Sequence, residues 1–209
     1  MATLVRPKSQ ESVLIDDVSW ELYELASNEM CHGATRMVYD NGRLEIMTVG
    51  GKHEMVKTAA ARVLEYLAVE FDWDVNGLGN VTLRRRDLLV GLEPDECYYI
   101  VSQMPPIHDG ELDIRNYPPP DLAIEVEVTR SSIDKISIYK RLGVREIWRW
   151  TGEQFVVQER NADGTYHDRN DSALLPALDL VMLAEFTLRA INEGQPAALR
   201  ALRQRLGKA

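Results

Sequence analysis

Cysteine is nearly absent from this chain: Cys31 and Cys97 stand alone, without the CxxC spacing of a thiolate metal site or a redox motif. Two isolated cysteines are expected as reduced, buried thiols of a cytosolic protein, not as a disulfide framework. Histidine is equally sparse, and His32, His108 and His167 lack ligand spacing, so no zinc site is expected. No apolar run approaches the ~18 residues needed to span a bilayer, and Met1–Gln10 has no apolar signal-peptide core. The expectation is a cytoplasmic chain with no membrane partner. Positive charge is also short, with 24 Lys and Arg against 33 Asp and Glu and a net charge of −9. That balance excludes a protein that coats nucleic acid non-specifically, although a local basic groove can coexist with an acidic remainder.

What is present is enough for one domain: 209 residues, of which 45% are hydrophobic, with no internal repeat and no low-complexity linker. Residues 1–16 are expected to form a flexible N-terminus, 17–190 the domain, and 191–209 a helical tail. Asp17-Val18-Ser19 offers caps for a short helix through Trp20, Leu22, Tyr23 and Ala26. Asn41-Gly42 between Arg36–Tyr39 and Leu44–Met47 marks a hairpin, because both residues tolerate the positive φ of a tight turn. A long helix starts near His53, with Val56, Ala60, Val63, Leu64, Leu67 and Phe71 at helical spacing. Strands are expected at Val81–Leu83, Leu88–Leu92, Glu96–Val101, Leu122–Val128, Glu146–Trp150 and Phe155–Gln158, and a last hairpin around Asp163-Gly164. Ser131 to Asp134 has capping-box spacing and opens a helix that ends at Gly143; the tail from Leu183 is helical. The order predicts an α/β sheet with one crossover in its middle.

The segment Asp121-Leu-Ala-Ile-Glu-Val-Glu-Val-Thr129 carries the chemistry. Leu122, Ile124, Val126 and Val128 share one face of a strand; Asp121, Ala123, Glu125, Glu127 and Thr129 share the other. Such a pattern fits an edge strand with a wet face. A capped helix and another strand follow, however, and a crossover of that form places its strands inside the sheet. Like charges at Glu125 and Glu127 then call for a cation, and a hard divalent ion takes oxygen ligands. Asp95 lies 30 residues before Glu125. That spacing accommodates one strand, a proline-rich loop and a return strand, so the two carboxylates can sit side by side. Alone, Glu93-Pro94-Asp95-Glu96 reads equally as an acidic turn.

Pro94-Asp95, Asp121-Leu-Ala-Ile-Glu125-Val-Glu127, Lys135-(three residues)-Tyr139 and Leu142-Gly-Val-Arg-Glu-Ile-Trp148 together resemble the Uma-two family of small endonucleases. The family belongs to the PD-(D/E)XK superfamily. The resemblance extends over roughly residues 17–190, through the Asn41-Gly-Arg-Leu-Glu45-Ile-Met hairpin and His53, and is most specific from Pro120 to Trp150. It implies a restriction-endonuclease-like fold, with a mixed central sheet flanked by helices, an N-terminal helix and hairpin, and a C-terminal helix. It implies Asp95 and Glu125 as catalytic metal ligands for Mg²⁺ or Mn²⁺, DNA as substrate, and a homodimer held by the C-terminal helix or terminal strands. The motif's lysine belongs two residues after Glu125, where this chain has Glu127. Lys135, at the start of the following helix, is the substitute the superfamily pattern allows, or else a solvated helix residue. Glu127 is then a further metal ligand, or a mark of lost activity.

Supporting residues are less specific. Glu45 either lines the same cleft or pairs with Arg43 or Arg36 across the hairpin. His53 either donates to a phosphate at a helix N-terminus or is an exposed first-turn residue. Arg84-Arg85-Arg86 either contacts nucleic acid, using Arg84 and Arg86 or Arg85 alone, or forms a solvated turn. Three functions remain open at this point: a metal-dependent endonuclease cutting DNA, a nuclease fold without activity that binds DNA or protein, and a metal phosphodiesterase acting on RNA or nucleotides.

Overall fold

The computed structural model describes residues 12–30, 34–105, 107–108, 111–112, 114, 116–126 and 131–208. In chain order the elements are β1 (Ser12–Ile15), α1 (Trp20–Met30), β2 (Thr35–Asp40), β3 (Arg43–Thr48), α2 (Gly51–Phe71), β4 (Asn76–Gly77), β5 (Leu83–Arg85), β6 (Val90–Leu92), β7 (Glu96–Tyr99), β8 (Ile107–His108), β9 (Glu111–Leu112), β10 (Leu122–Val126), α3 (Lys135–Leu142), β11 (Glu146–Trp150), β12 (Phe155–Arg160), β13 (Tyr166–Arg169), α4 (Leu180–Glu193) and α5 (Gln195–Arg205). No helix among the described residues is long and apolar enough to cross a membrane.

The strands form two main sheets where the sequence pattern predicts one. The first has the order β1-β3-β2-β6-β5, the second β13-β12-β11-β10-β7-β4, and β8 and β9 make a small separate pair. The hairpin turns at Asn41 and Gly42, with φ of 46° and 90°, as a tight turn between twisted strands requires. Ser12–Ile15, expected to be loose, instead adds an exposed edge strand to β3, with Leu14 opposite Glu45. Backbone pairing alone secures it, so hydrophobic periodicity gives no sign of it. The sheets separate at Glu93-Pro94-Asp95, between β6, which pairs with β2, and β7, which pairs with β10. Pro94 has no N–H to extend either ladder. Asp95 thereby lands where one sheet hands over to the other.

Strand β10 lies between β7, antiparallel, and β11, parallel. All five of its residues are buried, so it is the covered interior strand that the crossover predicts. Leu122, Ile124 and Val126 pack with Val63, Leu64 and Leu67 of α2 and with α4 and α5. Each fully buried leucine there contributes about 1.5–3 kcal/mol of burial free energy. The other face packs Ala123 with Tyr99, Ile138, Tyr139 and Ile147, beneath α3.

Helix α3 is capped by Asp134, whose carboxylate accepts from Ile136 N at 3.0 Å. The helix therefore begins at Lys135, and Ser131 is not its cap, because the Ser131 hydroxyl is drawn to Glu45. The helix ends at Gly143, φ 88°, in the left-handed conformation glycine adopts without strain. The C-terminal helical region begins at Leu180, not Leu183, because Asp179 accepts from Val181 N and Met182 N at 2.9 and 3.1 Å. In α5, Ala198 and Leu202 are fully buried within the chain's own core.

Candidate active site

Asp95 immediately precedes β7, Glu125 lies on the adjacent strand β10, and both line one cavity. Ile124 of β10 pairs with Glu96 of β7. The ladder ends at that pair, and Asp95, one residue before β7, reaches β10 through its side chain instead. Oδ2 of Asp95 accepts the Val126 N–H at 2.7 Å, which fastens the turn to β10. The same oxygen lies 2.9 Å from Nε2 of His53; an ionised carboxylate has no proton to give, so the imidazole donates. Asp95 is 4% exposed and Glu125 7%. Burial pushes the Asp95 carboxyl up, but the His53 hydrogen bond, the Lys135 charge and the Val126 amide outweigh it and hold Asp95 below the usual range.

Helix α3 delivers two groups to Glu125 from one face, since residues four apart lie one above the other. Lys135 Nζ donates to Glu125 Oε2 at 2.7 Å, and the Tyr139 hydroxyl donates to Oε1. Burial raises the Glu125 carboxyl above its ordinary value, with Asp95 adding to the rise and Lys135 and Tyr139 opposing it. Burial alone would lower Lys135, but the charges of Glu125 and Asp95 keep its ammonium above the ordinary range. The same burial beside Glu125 drives the Tyr139 phenol well up, so it stays a donor. Lys135 is therefore drawn to the motif carboxylate, and the solvated reading of this residue is set aside.

These groups line a cavity of about 360 Å³ that Arg36, Val38 and Met47 of the first sheet also wall. His53 lines it too and is buried, not exposed; its Nδ1 has no hydrogen-bond partner among the described residues, and Glu54 Oε1 stands 3.7 Å away. Arg36 reaches Glu54 at 3.4 Å and Glu93 at 3.7 Å. Arg149, beside Glu125 on parallel β11, completes the positive groups.

Glu45 is buried but does not line the cavity. It accepts from the Ser131 hydroxyl and from Ser132 N at 3.0 Å, so it ties the first sheet to the approach to α3. It pairs with neither arginine considered for it; Arg43 instead meets Asp16 at 3.4 Å. Arg84, Arg85 and Arg86 lie outside the cavity lining. Arg84 donates to Asn28 at 2.9 Å, Arg85 grips Asp87 at 2.6 and 2.8 Å, and Arg86 meets Glu21. Glu127, Cys31 and His32 fall outside the described residues, as does the His108 side chain.

Tyr139 and Arg149 belong to the site without having been assigned a role from the sequence. The Lys135-to-Tyr139 spacing of four is the signal for the first. For Arg149, the signal is a lone charge in Trp148-Arg-Trp150 on a strand adjoining Glu125. Among the described residues no group of three or more His, Cys, Asp or Glu is disposed to hold a metal. Asp95 and Glu125 nevertheless offer two hard carboxylates to one cavity, and Mg²⁺ is commonly held by one or two carboxylates with water in its remaining positions. The residues present fit such an ion at that level.

A solved structure described as "a putative nuclease belonging to DUF820", from Anabaena variabilis, aligns with 78% of this chain and 90% of its own length, at a TM-score of 0.43 and 16% identity. None of the curated protein sequences compared with the chain matches it significantly. A family model described as "Uma2: Putative restriction endonuclease" matches residues 21–190. The chain belongs to the Uma-two family of restriction-endonuclease-like proteins.

Proposed function

We propose that this protein is a divalent-metal-dependent nuclease that hydrolyses DNA phosphodiester bonds, with Asp95 and Glu125 as the metal-holding pair. The observation that carries the reading is the convergence of Asp95, Glu125 and Lys135 in one cavity, with Lys135 Nζ 2.7 Å from Glu125 Oε2. Bound there, Mg²⁺ or Mn²⁺ lowers the pKa of water and offsets charge on the phosphoryl oxygens. The chain's own groups do the rest. Asp95, held ionised by His53 and Val126 N–H, presents a fixed anion. Lys135 orients the attacking water and stabilises negative charge as the phosphorus becomes five-coordinate. A water oxygen forms the new P–O bond, the ester P–O bond opposite it breaks, and the water's proton passes through solvent to the departing alkoxide oxygen, which leaves as a hydroxyl. Arg149 and Arg36 add positive charge beside the incoming phosphate. The active species is read as a dimer, as the resemblance to restriction enzymes implies.

Supercoiled, linear duplex and single-stranded DNA incubated with Mg²⁺ or Mn²⁺ test this. Metal-dependent cleavage that disappears in Asp95→Asn is the expected result. Equal cleavage by the wild type and the variant removes the site.

One observation favours a second reading, a nuclease fold kept for binding. Both oxygens of Glu125 already accept from internal donors, Lys135 and Tyr139, so a metal would share this carboxylate with them through the remaining lone pairs. That reading predicts DNA binding indifferent to Mg²⁺ and no cleavage in either metal.

A further inference from the structure

We infer that the substrate reaching Asp95 and Glu125 is a single strand or an unpaired end, not the continuous backbone of an intact duplex. The inference rests on the cavity being the hydrolytic site and concerns what can enter it.

The two carboxylates are 4% and 7% exposed. The cavity above them measures about 360 Å³, near the small end of the ~300–1,000 Å³ range of small-molecule sites. A compact space open over that volume to the centres of water molecules is about 12 Å across once their ~1.4 Å radius is added on each side, still narrower than a duplex. The narrowing comes from the first sheet. Val38 and Met47 wall the cavity from β2 and β3, while Ile133, Ile136 and Tyr139 wall it from α3 and its approach. The cover is not a loosely placed flap, because Glu45 of β3 is buried and bound to Ser131 and Ser132 ahead of α3. Val38 is itself 1% exposed and packed in the core beneath.

The lining is divided in chemistry. Arg36, Lys135 and Arg149 set cations among the carboxylates of Glu93, Asp95, Glu125 and Asp134, whereas Val38, Met47 and Ile136 supply an apolar surface. A nucleotide has that division, a charged phosphate on a largely apolar ring face. Paired bases keep their faces inside the stack, so only an unpaired or extruded nucleotide can use both surfaces. Met47 is a partly buried residue of that wall, whereas Val38 is held in the core and Arg36 by carboxylates.

The test uses the full chain with Mn²⁺ and four end-labelled or closed substrates of one sequence: a single strand, a flapped duplex, a blunt duplex and a relaxed closed circle. Single strands and flap arms are expected to be cut at least about tenfold faster than the closed circle, the cost of unpairing in the latter falling on the rate. Met47→Trp, which fills the cavity, is expected to lower single-strand cleavage by about tenfold or more in a protein that remains folded, with some loss of melting temperature from overpacking. Closed duplex cut as fast as the single strand overturns the inference and leaves the proposed hydrolase standing. A folded Met47→Trp protein that cuts single strands at the wild-type rate overturns it as well. Should Met47→Trp fail to fold, the wild-type substrate ratios decide alone. Absence of cleavage on all four substrates overturns the hydrolase reading and this inference together.

Discussion

The ammonium of Lys135 lies 2.7 Å from Oε2 of Glu125, a contact between the first residue of α3 and the fourth residue of β10. It supplies positive charge beside the motif acid in a chain whose motif position holds Glu127. Replacing Lys135 with Met removes that charge and leaves Glu125 buried without its cation. Removing one partner of a fully buried pair costs about 3–5 kcal/mol, and less here because the Lys135 side chain is 22% exposed. Urea unfolding should therefore show Lys135→Met clearly destabilised and Lys135→Arg much less so. Cleavage should fall at least about a hundredfold in the Met variant. Wild-type stability and rate in Lys135→Met would show the contact to be incidental.

The elevated Glu125 carboxyl sets a pH dependence. Burial is the main cause, with Asp95 adding to it, against Lys135 and Tyr139. Cleavage that needs ionised Glu125 should fall on the acid side at a pH above the ordinary 4.5 of a glutamate. Lys135→Met should move that limb higher still, because the main group pulling Glu125 down is gone. The stability effect has the opposite direction. A raised folded pKa favours the protonated form, so this contribution is full below the unfolded value and is lost as pH rises through the folded one. Glu125→Gln has no such loss, and its stability relative to wild type should rise with pH across that window. Denaturant titrations at several pH values measure it; a constant difference would contradict the burial argument.

Asp95 has a structural task besides the proposed chemical one, and two substitutions separate them. Asp95→Asn keeps an acceptor for Val126 N–H and His53, so the fold should persist while cleavage drops at least about a hundredfold. Asp95→Ala leaves both donors buried and unpaired, at about 1–3 kcal/mol each. Thermal melts should rank wild type and Asn close together and Ala well below. Equal melting of Asn and Ala would mean that the contacts at 2.7 and 2.9 Å carry little of the stability.

Much of this was legible from local signals. The Asn41-Gly42 hairpin, the α2 stripe from Val56 to Leu67 and the Gly143 stop follow from turn and helix chemistry, and the structure has each of them, although Phe71, expected on the stripe, is exposed. The buried Cys97 and the interior position of β10 follow from composition and crossover logic. The division into two sheets did not, because it depends on where Pro94 ends one ladder, and a proline in a turn reads the same whichever sheet comes next. Nor did the partner of Glu45, which is 86 residues away at Ser131; no periodicity reports a contact that the fold makes only in three dimensions. His53 looked exposed because a first helical turn usually is. Here the chain returns at Asp95 to cover it.

Gly91 tests how firmly the first sheet is held. A Cβ at this position would lie 2.1 Å from the Tyr23 hydroxyl oxygen. Tyr23 is 1% exposed and stacks on Tyr39 at 4.7 Å, so it has little space to retreat. Overpacking of this kind costs about 1–3 kcal/mol, and Gly91→Ala should melt several degrees lower. A Gly91→Ala,Tyr23→Phe double variant should recover part of the loss, since it deletes the nearest atom. No change in melting for the single variant would mean that α1 shifts freely against β6.

Glu45 couples the wall of the cavity to the helix that supplies Lys135. Its carboxylate is buried and accepts from the Ser131 hydroxyl, from Ser132 N at 3.0 Å and from Ile133 N at 3.5 Å. These donors precede α3, so their position sets where the helix begins and where Lys135 and Tyr139 point. Glu45→Ala strands at least two buried donors, each costing about 1–3 kcal/mol. Glu45→Gln keeps one acceptor oxygen but turns the other into a donor that faces donors. Both variants should be less stable than wild type, with Ala and Gln closer to each other than either is to wild type. The catalytic consequence differs from that of losing a ligand. Asp95 and Glu125 remain on β7's approach and on β10, which Glu45 does not touch, so Mn²⁺ binding measured by calorimetry should persist while the cleavage rate falls. A Glu45→Gln protein that loses metal binding and rate in equal measure would place Glu45 among the metal-holding groups, and the role of an anchor for α3 would have to be given up.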